Sequence, residues 1–349
     1  MTKQFNMPIK ITNTHNVPEE LFKAMSRDDH VNKGDISVTT LIDAPRIKIL
    51  KDNNEYEQDV MDMLFMQLGT AFHTVMEQNT YTHYAYHGLK QTCRDLVKMG
   101  RKDLALEVAK EAKKQFKDEL VGKDIFVERT LTLDVTVTSS VTGKVHVIKL
   151  SGTQDYYQKS LKLLRDYKVT GVSQNNSDHK HWIEQQNIYG YMLRQIGEEV
   201  ETIEILAFFR NWSKMKAKFA RKSENYPKQP SVVIPLEVWS DEKALSYIEG
   251  RVQLHVEAKE RSEQEGGKIP LCTASERWAG DDTFTVNHDD GGKNFYNYKM
   301  AKNFIESEPL VNPVINYKLA SSLKCNEYCP VSKFCDQHKK RMDLIKKNK

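Results

Sequence analysis

Residues 145–170 read VHVIKLSGTQDYYQKSLKLLRDYKVT, and their reading decides the fold. Val145 to Tyr157 has the composition of a strand, and Leu161 to Val169 reads as the next one. Asp166 and Lys168 are separated by one residue, so the two-residue period of a strand points both side chains to the same face. Asp155 lies near the end of the earlier strand. If the two strands pair as a hairpin, two carboxylates and an ammonium converge. Leu163, Leu164 and Val169 make the charges an interruption of an otherwise apolar strand, and buried charges are costly unless paired or bound to metal. By itself, Asp-x-Lys on a strand is more often a cross-strand salt bridge. Hard carboxylate oxygens also suit Mg2+ or Mn2+. A cation so held activates water and stabilises charge on a phosphate, while a lysine can orient that water.

Working outward, Ile125 to Thr138 alternates and is β-branched, which predicts a strand. Ser139 to Lys144 predicts a hairpin turn after it. Further upstream, apolar residues recur at helical spacing from Asp59 to Glu77, and a second helix is expected from about Asp103 to Asp118. Residues 1–36 read as a loose arm with a short helix near Glu19 to Met25. Downstream, Asp178 to Ile196 predicts a helix stopped at Gly197. Glu201 to Asn211 and Ser231 to Val238 predict strands, and Asp241 to Glu265 a long charged helix. The expected fold is α/β: a central mixed sheet flanked by helices over residues 37–265, then a loop-rich segment over 266–349 that holds most of the cysteines.

With these elements in place, the chain resembles the RecB-like exonuclease branch of the PD-(D/E)XK nuclease superfamily. That family shows a helix with a histidine, a Gly-x-x-Asp strand end, an Asp/Glu-x-Lys strand and a helix with Gln-x-x-x-Tyr. Here His73, Gly152 to Asp155, Asp166-Tyr167-Lys168 and Gln185 to Tyr189 stand in that order. The resemblance spans roughly residues 37–212. It implies a restriction-endonuclease-like core and a metal-dependent DNA nuclease that hydrolyses phosphodiester bonds. It also implies that Asp155, Asp166, the Tyr167 carbonyl and His73 hold Mg2+ or Mn2+, that Lys168 positions the attacking water, and that Gln185 and Tyr189 support the site. The ordinary reading of His73 is a core histidine, and that of Glu128, a possible further acid, is an exposed strand glutamate. A catalytically inactive nucleic-acid-binding module of the same fold is the alternative, as is an interaction protein whose carboxylates form salt bridges.

Five cysteines are present. In a reducing compartment they are expected as ligands before disulfides. Cys325, Cys329 and Cys335 crowd together, and Cys272 lies upstream. Four thiolates can hold zinc or an iron–sulfur cluster. The resemblance favours a 4Fe-4S cluster, which several RecB-like nucleases carry. In those relatives the distant cysteine precedes the nuclease core, whereas Cys272 follows it, and Cys93 is the other candidate. Cys93 also fits a small buried hydrophobe.

The bulk numbers set outer bounds on the class of protein. Hydrophobic residues make up 39% of the 349 residues, enough for a core, and the net charge of +4 excludes a polycation. Nucleic-acid contact therefore requires a local basic surface. The tail from Lys339 to Lys349 is basic, although such tails are more often merely solvated. No apolar run approaches a membrane span and the first ten residues lack a secretory core, so a cytoplasmic protein is expected. No Gly-x-x-x-x-Gly-Lys-Ser/Thr segment occurs, so any unwinding would come from a helicase or recombination partner.

Overall fold

In a computed structural model, the described residues are 9–26, 33–79, 92–115, 124–221, 224–264, 267–289 and 291–347. The ends of the helices expected to reach Asp118 and Glu265 lie outside them, as do residues 1–8 of the arm and the last two of the tail. The elements begin with β1 (Lys10–Thr12), α1 (Glu19–Met25), β2 (Ile36–Ser37), α2 (Val38–Ile42), α3 (Pro45–Asn53) and β3 (Glu57–Asp59). Next come α4 (Val60–Asn79), α5 (Lys102–Gln115), β4 (Ile125–Thr138), β5 (Val145–Gln158) and β6 (Leu163–Thr170). Then follow α6 (Lys180–Gln195), β7 (Thr202–Phe209), α7 (Lys214–Phe219), β8 (Ser231–Leu236) and α8 (Asp241–Glu263). The chain closes with β9 (Thr283–His288), β10 (Gly291–Phe295), α9 (Tyr298–Ser307), β11 (Val314–Lys318) and α10 (Asp336–Lys347).

The chain forms two compact units. One comprises Asn13–Ile42 and Val60–Gln253; the other comprises Met1–Thr12, Asp43–Asp59 and Leu254–Lys349. The first is an α/β unit around a mixed sheet in the order β2-β5-β6-β7-β8, with β4 paired to β5. β4 and β5 run antiparallel along their whole length, as the alternating sequences and the Ser139–Lys144 turn predict. The Ser139 Oγ accepts from the amides of Val141 and Thr142, which fixes that turn. β6 runs parallel to β7, and β7 is almost wholly apolar because the sheet is covered on both faces. α4 covers the face that carries Tyr156, Leu163 and Tyr167, with Phe72 and Met76 packed against them. Gln186 of α6 reaches Asp166, whose side chain points away from the Tyr167 face. α6 buries Ile188, Met192 and Leu193 almost completely. Each such side chain contributes about 1.5–3 kcal/mol relative to an exposed one.

Two details of local structure run against composition. Val38-Thr39-Thr40, β-branched and poor in helix propensity, begins a one-turn helix, because Val38 and Leu41 are fully buried. The segment after Gly266 is less irregular than its composition predicts. It contains a three-stranded antiparallel sheet in the order β10-β9-β11, together with α9 and α10.

Candidate metal centre

The site of the α/β unit arises from a fork in the sheet. β5 and β6 pair only from Tyr156↔Arg165 to Gln158↔Leu163. One step further along, where Asp155 would face Asp166, the ladder ends and β5 takes β2 as its parallel neighbour through Leu150 and Ser151. The divergence leaves the backbone of Tyr167 free on that side. Its amide donates to Asp155 Oδ2 at 2.8 Å. Its carbonyl accepts from His73 Nε2 of α4 at 2.8 Å. A backbone unit that lost its strand partner has thus gained a carboxylate and an imidazole in its place.

Asp166 is held from two directions. Gln186 Nε2 donates to Asp166 Oδ1 at 2.9 Å, and Lys168 Nζ lies 2.7 Å from Asp166 Oδ2. Asp155 and Asp166 are only 8% and 3% exposed. The cleft, of about 580 Å³, is lined by His73, Glu128, Asp155, Asp166, Lys168, Gln185 and Tyr189, among others. Every side chain proposed from sequence for the carboxylate site therefore reaches one cleft, and the Tyr167 carbonyl meets His73. Gly152 is needed for the cleft wall. A Cβ there would meet Tyr189 Cε1 at 2.6 Å and Val38 Cγ2 at 2.9 Å.

His73, Glu128 and Asp155 form a group whose ligand atoms all lie within 4.8 Å of one another, a cluster able to hold a metal ion. His73 Nδ1 faces Asp155 Oδ2 at 3.5 Å and Glu128 Oε1 at 3.9 Å. Glu128 is the residue that sequence reading undervalued. It sits on β4 between Val127↔Tyr156 and Arg129↔Gln154, opposite Asp155. Its φ of 47° is left-handed, a strained conformation for a non-glycine residue inside a strand. Gln186, also not singled out from sequence, is the side chain that holds Asp166.

The electrostatics describe a site with too much negative charge. Burial, then Asp166, raises Asp155 well above its ordinary carboxyl value. Burial, then Glu77 and Asp166, pushes Glu128 up to about 7. Burial lowers His73, against the opposing pull of Asp166 and the Tyr167 carbonyl, and favours the neutral imidazole that metals require. Burial alone would lower Lys168, but Asp166 and Asp155 outweigh it and hold the ammonium charged. One ammonium cannot balance three carboxylates, and a divalent cation on oxygen and imidazole ligands would. The donor set therefore fits such an ion.

The expectation of a 4Fe-4S cluster, with zinc as its alternative, is corrected. Cys272, Cys325, Cys329 and Cys335 of the other unit do line one small cavity. All are free, and no three of them bring their sulfur atoms mutually within 4.8 Å; among the described residues only His73, Glu128 and Asp155 form such a group of three. Burial pushes the Cys272 thiol up to about 12 and raises Cys325 and Cys329 as well. Cys335 and its neighbours instead pack with Ala44, Ile47, Leu50, Tyr56 and Val331 as small hydrophobes. Cys93 belongs to the α/β unit, where its thiol donates to the carbonyl of Ala105 at 3.5 Å.

No family model matches the chain. No curated protein matches it either. The crystal structure of SSO0001 aligns with 68% of this chain and 85% of its own, at 16% identity and a TM-score of 0.34. A likeness that loose fixes neither fold nor activity. No helix among the described residues is long and apolar enough to cross a membrane.

Proposed function

We propose that the cleft is the active centre of a metal-dependent DNA nuclease of the PD-(D/E)XK type, with a restriction-endonuclease-like core and action at DNA ends. The observation that supports this reading is the convergence of Asp155, Asp166, Lys168 and His73 where β5 and β6 part. His73, Asp155, Asp166 and the Tyr167 carbonyl are the proposed ligands for Mg2+ or Mn2+, and Glu128 adds a further carboxylate. When bound, the cation supplies a low-pKa water and charge compensation at a phosphate. Gln186 fixes the rotation of the Asp166 carboxylate through its bond to Oδ1. Asp166 in turn holds the Lys168 ammonium at 2.7 Å, where it remains charged and can orient an attacking water or donate to a phosphate oxygen. Gln185 and Tyr189 share one helix face and line the cleft, placed to contact a sugar–phosphate backbone. The lysine and both buried carboxylates are intact, which disfavours the inactive binding module.

The test is incubation of the purified chain with end-labelled single- and double-stranded DNA, with Mn2+ or with a chelator. Metal-dependent shortening of labelled DNA is expected, and it should vanish in folded Asp166→Asn. DNA left intact by the folded wild-type chain in Mn2+ would remove the proposal.

A further inference from the structure

Beyond the cleft, residues 206–223 contain Arg210, Lys214, Lys216, Lys218, Arg221 and Lys222 and no acidic residue. Arg210, Lys214, Lys216, Lys218 and Arg221 are exposed, and among the described residues none has a carboxylate partner. α7 buries no residue of its own. Met215 and Phe219, one turn apart on it, are each 71% exposed. A single turn and a half of helix with nothing buried does not sustain itself. This one is nevertheless held in place. Ser213 Oγ accepts from the Lys216 amide at 3.4 Å, the Ser213 amide donates to Tyr226 Oη at 2.8 Å, and Trp212 Nε1 donates to the Pro227 carbonyl at 2.8 Å. The fold thus anchors a surface that alternates cations with large apolar side chains.

That surface connects to the cleft through α4. The Arg210 guanidinium lies over the Phe65 ring, 3.9 Å from its centroid, and Phe65 is 54% exposed. The next residue, Met66, is 53% exposed and lines the cleft. Several exposed cations with no carboxylate partner among the described residues call for a polyanion, and Met215 and Phe219, on the helix face between Lys214/Lys218 and Lys216, call for flat apolar faces between the charges. A single-stranded polynucleotide offers both. A duplex keeps its base faces inside the stack, and a free phosphate has none to offer. An anionic lipid surface shares the charge but does not account for the continuity with the cleft.

We propose that Arg210, α7 and the Phe65–Met66 rim of α4 form a track that binds a single-stranded polynucleotide and leads it toward the carboxylate cleft. The direction of the track rests on the nuclease reading; the binding does not. The experiment is fluorescence anisotropy of the full chain in a chelator, with labelled oligo(dT), labelled oligo(U), a matched DNA duplex, and phosphatidylserine vesicles as competitor. The wild-type chain should prefer the single strands, and the oligo(dT) and oligo(U) arms separate DNA from RNA as their source. Combined Lys214→Gln, Lys216→Gln and Lys218→Gln should weaken binding at least about tenfold and reduce the slope of log affinity against log salt by about 2. Combined Met215→Ala and Phe219→Ala should weaken single-strand binding roughly tenfold and leave duplex binding unchanged. The substituted side chains are exposed, so both variants should melt like the wild type. Wild-type binding by either variant, equal losses on single strand and duplex for the apolar variant, or displacement of oligo(dT) by the vesicles would overturn the track. Binding as expected with no cleavage in Mn2+ would keep the track and remove the nuclease; cleavage with unaltered binding in both variants would do the reverse.

Discussion

The carboxylate cleft and the cysteine cavity both gather residues that bind metals, yet their neighbours drive them to different states. In the cleft, Asp155 and Asp166 are nearly sealed from solvent, with Glu128 beside them and Lys168 as their cation. In the cavity, Arg46 occupies the ordering role. Its guanidinium, 4% exposed, pairs with Asp336, donates to the carbonyls of Ile269 and Pro270, and reaches Cys335 Sγ at 3.7 Å. The cleft concentrates negative charge without enough positive charge; the cavity sets free cysteines beside an arginine whose donors are satisfied. Neighbouring strands convert a spacing in sequence into a fixed geometry, because register is set by the ladder. Cysteines in and at the ends of short helical turns carry no such constraint, so their proximity in sequence settles less.

The sharpest way to break this contrast is at the cation of the cleft. Asp166→Asn and Lys168→Ala should each lower Mn2+-dependent DNA cleavage by about 10²-fold or more, the scale of losing one preorganised charged group. Circular dichroism should show folded protein in both. Wild-type turnover by either folded variant would reduce the constellation to a salt bridge.

The matching change in the cavity is Arg46→Met, and its readout is stability. Asp336 is largely exposed and would simply be solvated, so the cost is that of the guanidinium's lost hydrogen bonds, about 1–3 kcal/mol. Here the Ile269 and Pro270 carbonyls also lose their donor. The urea midpoint should fall, and Cys335 should react faster with a thiol reagent. An unchanged midpoint would show that the apolar packing of Ala44, Ile47, Leu50 and Val331 holds the segment alone.

How much of this was legible in the sequence follows from the same contrast. β4, β5 and β6 could be placed because alternation and β-branching are local signals that the sheet then reinforces. Asp155, Asp166 and Lys168 followed from strand period. His73, Gln185 and Tyr189 required the resemblance, since a helix face does not announce what it meets. Glu128 was undervalued because its role depends on one left-handed residue inside a strand, and alternation cannot reveal that. Gln186 was passed over in favour of Gln185, a choice that turns on helix phase against the sheet. β9, β10 and β11 are short, with Thr, Asn and Gly in place of a continuous apolar pattern, so they read as loop.

A subtler test concerns the wall of the cleft. Gly152→Ala places a methyl 2.6 Å from Tyr189 Cε1, and the ring, in a buried helix, cannot simply swing out. Overpacking of this kind costs about 1–3 kcal/mol. Thermal unfolding should register it, together with reduced cleavage if Tyr189 contacts the substrate. A wild-type melting temperature would mean that the ring is not seated over Gly152 in solution.

The smallest expected effect is also the one that ties charge to metal most directly. Burial, with Glu77 and Asp166 nearby, pushes Glu128 up to about 7. An acid raised in this way keeps its proton in the folded chain after the unfolded chain has released it. The metal-free protein should therefore lose stability as pH rises from the usual carboxylate range through about 7. Metal binding runs in the opposite direction, because the cation must displace that proton. Mn2+ affinity should rise with pH by up to about tenfold per unit for each proton displaced, and the share of that rise that Glu128 supplies should level off once it is ionised. Glu128→Gln cannot hold or release the proton, so its affinity should be lower at high pH and flatter across the window. Calorimetric titration with Mn2+ at several values between about pH 6 and about pH 8.5 would read both slopes. If wild type and Glu128→Gln show the same slope, Glu128 does not face the cation, and the left-handed turn that aims it at His73 serves the strand rather than the site.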